Sequence, residues 1–210
     1  MTNLDEVLFR LINGVWINPV IDFGMTFISR INEYGLIWLA LLGMLAILGG
    51  RTGRCAALAG LAALVVGLGA SEMLKNLVMQ LRPFLSLADV RLLVDPPSSY
   101  SFPSVNVTYA FAACSGALLT TRRLLGRVPL WGWVCLTFAV ALSYSRIYVG
   151  VHYPSDVVGG ALLGIAVGWL VATIVVRIAT IAKPSVGQAT LEEDAGPLCL
   201  QDAKYSREAT

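Results

Sequence analysis

The only histidine of the sequence, His152, lies in the stretch 145–156, with Asp156 four residues after it and Arg146 six before it. An arginine can grip a phosphoryl group, a neutral imidazole can attack it, and a carboxylate can fix the tautomer of the imidazole and stabilise its cation. A single histidine beside a helix start is more often structural, so this stretch alone does not decide. Two others add to it. Lys75 and Arg82 are seven residues apart, two turns if the segment is helical, and so can face one site. Pro103 and Ser104 read as the opening of a helix whose first amides, at Val105 and Asn106, would face an anion.

These ionisable groups are scarce in a chain of 210 residues that is 57% hydrophobic and 13% charged. Five apolar runs, 34–50, 55–71, 103–121, 128–145 and 155–176, carry no charge except Asp156 at the start of the last. Each is close to the roughly 17–25 residues that a spanning helix needs. The expected fold is an all-α integral membrane protein, a polytopic bundle of five or six transmembrane helices with an amphipathic N-terminal region. Residues 1–33 place Val7, Leu8, Leu11 and Ile12 at helical spacing, break at Asn18 and Pro19, and resume to Ile31 around Asp22 and Arg30. They read as one or two amphipathic helices, interfacial or packed on the bundle, or as a sixth, imperfect span. Asn3, Asp5 and Glu6 stand where a cleavable signal would place positive charge, so these residues are expected to stay on the mature protein. Residues 34–177 form the membrane core, and 178–210 a polar tail expected to be disordered and cytoplasmic.

Glycines and alanines on the second run (Gly60, Gly67, Gly69, Ala70) and glycines on the fifth (Gly159, Gly160, Gly164, Gly168) would let helices approach closely. Cys55, Cys114, Cys135 and Cys199 have no metal-type spacing and read as small apolar residues. With one histidine, a histidine-rich metal centre is excluded. By alternation, the turns with Arg51 and Arg54, with Arg122, Arg123 and Arg127, and the end at Arg177 and Lys183 share one face, which the positive-inside rule makes cytoplasmic. Lys75 and Arg82, Pro103 to Asn106, and Arg146 to Asp156 then converge on the opposite, extracytoplasmic mouth of a cell membrane, expected to be a bacterial inner membrane.

Lys75 through Arg82 and Pro83, then Pro103 and Ser104, then Ser145 and Arg146 with His152 and Asp156 resemble, in order and spacing, the three signature motifs of the type-2 phosphatidic acid phosphatase superfamily. The resemblance covers roughly 34–177 and extends to a short bacterial branch that includes undecaprenyl diphosphate phosphatases. It implies a membrane phosphatase acting on a lipid phosphate or diphosphate through a phosphohistidine on His152, with Asp156 as orienting partner. Lys75, Arg82, Ser104 and Arg146 would cradle the phosphate. It implies no cofactor, no metal requirement and no nucleic-acid partner; the oligomeric state is left open.

The second motif departs from the family. A histidine that acts as general acid is usual where this chain has Asn106. Asparagine can donate a hydrogen bond but delivers no proton at neutral pH. General acid catalysis is worth roughly 10²–10⁴-fold, so the substrate matters. An alkoxide leaving group needs that proton badly, whereas a phosphoryl leaving group has a second pKa of about 6 and needs it less. A polyprenyl diphosphate such as undecaprenyl diphosphate is therefore favoured over phosphatidate. Asp89 or Asp95 in the loop before Pro103 could also supply a proton. The alternatives at this point are an impaired relative that binds lipid phosphates, a phosphotransferase between lipids, and a lipid-phosphate transporter. Against the last, the charges gather at one membrane face and not along a path through it.

Overall fold

The computed structural model describes residues 3–15 and 17–181, and every described regular element is helical. In chain order these are α1 (Asn3–Gly14), α2 (Pro19–Ile31), a 3-10 turn (Glu33–Gly35), α3 (Leu36–Leu48), α4 (Gly50–Val78), α5 (Pro83–Ser86), α6 (Val105–Leu125), α7 (Leu130–Tyr148) and α8 (Pro154–Ile181). Residues up to Arg177 form one compact unit. The expected tail lies outside the described residues, apart from the last turn of α8.

The helix boundaries follow from local chemistry. Asn18 caps α2, its side chain accepting from Val20 N–H at 2.8 Å, and Pro19 occupies the first helical position, where its missing N–H costs nothing. Pro154 opens α8 in the same way. Pro83 holds Arg82 extended (φ −76°, ψ 156°), and Met79 turns left-handed at φ 51°, so α4 ends at Val78. Lys75 and Arg82 therefore do not share a helix face, as two uninterrupted turns would require. They meet instead through the loop that follows.

Of the expected spans, α4 with its extension to Ser86, α7 and α8 are long and apolar enough to cross a membrane, and the bent pair α1–α2 makes up to four. The first expected run becomes α3, only 13 residues long. The third becomes α6, which has the length of a span but a mixed sequence. The reason is its position. Its Thr108, Ala112, Gly116 and Ala117 are buried against neighbouring helices, so packing selects small and hydroxylated residues there. The outward faces of α4, α7 and α8 carry Leu58, Val65, Trp133, Val140, Leu162 and Trp169, the exposed apolar belt that a bilayer covers. The chain is thus a multi-pass helical membrane protein.

The glycines of α8 fix its register on α6. A Cβ at Gly164 would stand 2.4 Å from the Thr108 carbonyl oxygen, and one at Gly168 would strike the Ser115 hydroxyl and the Gly116 amide. Gly60 and Gly67 let α4 approach the other side, whereas Gly69 faces open space. This register sets Asp156 beside the start of α6, where Ser104 N–H donates to the Asp156 carbonyl at 3.0 Å.

Gly164→Val should therefore destabilise the detergent-solubilised protein by roughly 1–3 kcal/mol or more, the cost of an overpacked contact, and lower its melting temperature. Gly69→Ala should leave it unchanged or slightly raised. Equal melting of the two variants would refute the register argument.

Candidate active site

The C-terminal ends of α4 and α7 and the N-terminal ends of α6 and α8 meet around a cavity of about 260 Å³. Lys75, Arg82, Asn106, Arg146 and His152 line it, together with Ser29, Arg30, Glu72, Asp95 and Ser99. Asp156 lies behind His152, fully buried.

The tautomer of His152 can be read from its partners. Arg82 Nη1 stands 3.3 Å from Nε2. A guanidinium has donors only, so Nε2 must carry the lone pair and Nδ1 the proton. Nδ1 lies 3.3 Å from Asp156 Oδ2. The same oxygen accepts from Ser101 Oγ at 2.5 Å and from Tyr153 N–H at 2.8 Å, so the carboxylate is fixed before it touches the ring. Burial, then the charges of Arg82, Arg146 and Lys75, hold the pKa of His152 well below its usual value, since each disfavours a second proton on the ring. The result is a neutral imidazole with its basic nitrogen beside the cations.

Lys75 and Arg82 are held by neutral oxygens. Lys75 Nζ donates to Ser99 Oγ at 2.9 Å. Arg82 donates to the Ser99 carbonyl at 2.7 Å, to Ser99 Oγ at 3.1 Å and to the Val151 carbonyl at 2.9 Å. Arg146 Nη1 donates to Ser29 Oγ at 2.5 Å. All three side chains are buried. A site of this kind stabilises an anion without reorganising.

Asn106 sits in the first turn of α6, where the amides have no intrahelical acceptor. Its side-chain amide lies on the cavity wall with Oδ1 2.7 Å from the Tyr109 hydroxyl, whose single proton also has the Asn32 carbonyl within 2.6 Å. Tyr109 is itself tied to Asn32, whose Nδ2 donates to it at 2.8 Å and whose Oδ1 accepts from Trp38 Nε1 at 2.7 Å. Ser104 is fully buried at the cap of α6 and is not on the cavity wall; its contact to the site is the backbone bond to Asp156. Of the two loop carboxylates, Asp95 reaches the wall and Asp89 does not.

Several contacts that hold the site carry no local sequence signal. Ser99 and Ser101 were two among several loop serines, with no spacing to mark them. Asp5 in α1 accepts from Ser155 N–H at 2.9 Å and from Ser155 Oγ at 2.6 Å, capping α8 next to Asp156. Asn13 donates to the carbonyls of Arg91 and Tyr148 at 2.9 and 2.8 Å. Asp22 accepts from Arg91 Nη1 at 2.7 Å and from the Tyr148 hydroxyl at 2.6 Å. These bonds join α1 and α2 to the loop 87–104 and to the end of α7. No short-range pattern announces such long-range pairs.

A model of the PAP2 superfamily matches residues 53–179, more than half of the chain. The chain belongs to the PAP2 superfamily. It is 33% identical over 165 residues to an undecaprenyl-diphosphatase of Sulfolobus acidocaldarius, covering 78% of this chain and 74% of that one. A decaprenylphosphoryl-5-phosphoribose phosphatase of Mycobacterium tuberculosis is 38% identical over 149 residues, 70% of this chain and 76% of its own. The crystal structure of Aquifex aeolicus LpxE superimposes with a TM-score of 0.64 at 31% identity, over 82% of this chain and 96% of that one. The PAP2 match begins inside α4, so Asp5, Asn13, Asp22, Ser29 and Asn32 approach the PAP2 core from outside the matched segment.

Because His152 is the one imidazole, its titration is directly observable in protein labelled on histidine. The ring should remain the Nδ1–H tautomer down to below pH 6.5, and Arg82→Gln should move the midpoint up by removing a positive charge. A midpoint at or above 6.5 in the unmodified protein would contradict the burial and charge argument.

Proposed function

We propose that this chain is a membrane lipid phosphatase that removes the terminal phosphate of a polyprenyl diphosphate through a phosphohistidine on His152. The observation that carries the reading is His152 Nε2 set 3.3 Å from the donor-only guanidinium of Arg82, on the wall of a cavity shared with Lys75 and Arg146. The diphosphatase and phosphatase names of the relatives support the reaction class.

In this reaction Nε2 attacks the terminal phosphorus, a P–N bond forms, and the bond to the bridging oxygen breaks. The electron pair leaves with the lipid phosphate. Asp156, held by Ser101 and Tyr153 N–H, stabilises the positive charge that the ring acquires. Lys75, Arg82, Arg146 and the first amides of α6 hold the charge on the transferred oxygens, with Ser104 fixing the start of that helix against Asp156. Water then attacks phosphorus, the P–N bond breaks, and phosphate is released as His152 becomes neutral again. Three protein cations supply the charge stabilisation that a metal would otherwise provide, so the reaction is proposed to need none. The basic turns at the far ends of the helices support an extracytoplasmic mouth.

The leaving group decides the substrate. Asn106 can hydrogen-bond to a departing oxygen but gives it no proton, which a lipid phosphate tolerates better than an alkoxide.

Phosphate release by the purified protein should be faster from a polyprenyl diphosphate than from phosphatidate and should persist in a chelator. His152→Ala should abolish it, by at least about 10³-fold. Asn106→His should raise activity on phosphatidate by up to about 10²–10⁴-fold and narrow the preference. Faster release from phosphatidate by the unmodified protein would defeat the leaving-group argument. Activity appearing only in Asn106→His would leave binding as the function.

A further inference from the structure

One cation on the cavity wall has no part in the transfer just described. Arg30 lies on the last turn of α2, outside the segment matched to the PAP2 superfamily. It lines the cavity with Ser29, Asn106 and Arg146. Its side chain is exposed and makes no hydrogen bond or ion pair with the described residues. Lys75 and Arg82, by contrast, are committed to Ser99.

Arg30 is nevertheless well placed. On one side Ser29 holds Arg146. On the other, Asn32 is fully buried and bonded to Tyr109, which holds Asn106. The last turn of α2 is thereby pinned to the first turns of α6, with Arg30 on the wall that carries the Asn106 amide.

We propose that Arg30 and Asn106 form a second phosphate subsite, which receives the lipid-linked phosphate of a diphosphate substrate and steadies it as the leaving group. The inference rests on the phosphatase reading above and adds a residue and a substrate test to it. As the P–N bond to His152 forms and the bridging P–O bond breaks, the electron pair stays on the bridging oxygen, which becomes an oxygen of the departing lipid monophosphate. That product carries its extra charge as a stable anion, and the Arg30 guanidinium neutralises it. Charge stands in for the proton that Asn106 lacks. The substitution works only for an anhydride. The alkoxide leaving from a monophosphate needs a proton, and a guanidinium does not give one up.

The test is steady-state phosphate release by the full chain in detergent from farnesyl diphosphate and from farnesyl monophosphate, which share one lipid. Arg30→Gln should lower kcat/KM for the diphosphate by about 10- to 100-fold. For the monophosphate the loss should stay within about 3-fold. Arg30→Lys, which keeps the charge and loses the fork, should recover part of the diphosphate activity and none of the selectivity should depend on protein stability, read from unchanged melting temperatures. An equal loss on both substrates, or no loss on either, overturns the subsite and leaves the phosphatase standing. An unmodified protein inert toward both lipids takes down the phosphatase reading and the subsite together.

Discussion

The constraint on which the structure depends is the confinement of several cations around one neutral imidazole. Lys75, Arg82 and Arg146 are all buried at one end of the bundle, where burial and mutual repulsion both disfavour their charges. Lys75 and Arg82 form no ion pair with any described carboxylate. Neutral oxygens hold them instead, chiefly both oxygens of Ser99 and the Val151 carbonyl. A carboxylate bound to them would satisfy the charges and close the site to an anion. Serine and carbonyl oxygens orient the donors without pairing their charges.

Such an arrangement needs mechanical support from elsewhere, and the loop 87–104 supplies it. Ser99 and Ser101 can act only if this loop stays over the cavity. Its anchors are the Arg91 contacts to Asn13 and Asp22, the Arg91 guanidinium over the Tyr148 ring at 5.1 Å, and the Leu93 N–H to the Val149 carbonyl at 3.1 Å. The N-terminal helices are thus part of the site's foundation. Phe9 packs its ring on Tyr153 at 5.6 Å, and Asp5 caps α8 one residue before Asp156. A capping carboxylate at a helix start is worth about 0.5–2 kcal/mol, and here it steadies the turn that holds the partner of His152.

Much of this was legible in the sequence. The order of motifs, the convergence of Lys75, Arg82, Asn106, Arg146 and His152 on one mouth, and the start of α8 at Pro154 follow from local spacing and alternation of spans. The span count does not follow in the same way. Composition marks lipid exposure, and α6 is surrounded by protein, so its buried hydroxyls and small residues dilute the signal. Uninterrupted helix from Lys75 to Arg82 failed because Pro83 acts backward on Arg82 and Met79 turns left-handed. Ser99, Ser101 and Asp5 were not legible, since their roles depend on partners 17 to 150 residues away. Sequence spacing constrains a helix face but not which loop serine closes over it.

Asn106 shows how the same physics joins the fold to the chemistry. Tyr109, one turn along α6, holds the Asn106 amide on the cavity wall, its hydroxyl 2.7 Å from Oδ1. The hydroxyl is in turn bound to Asn32, whose side chain is also held by Trp38. An amide held in this way keeps its N–H donors at every pH, with no protonation state to lose. An imidazole at this position would alternate between donor and acceptor as it titrated. Asparagine thus offers hydrogen bonding without a proton to deliver. That suits a leaving group that departs as an anion, and the amide sits on the same wall as a cation, Arg30, that none of the described residues neutralises.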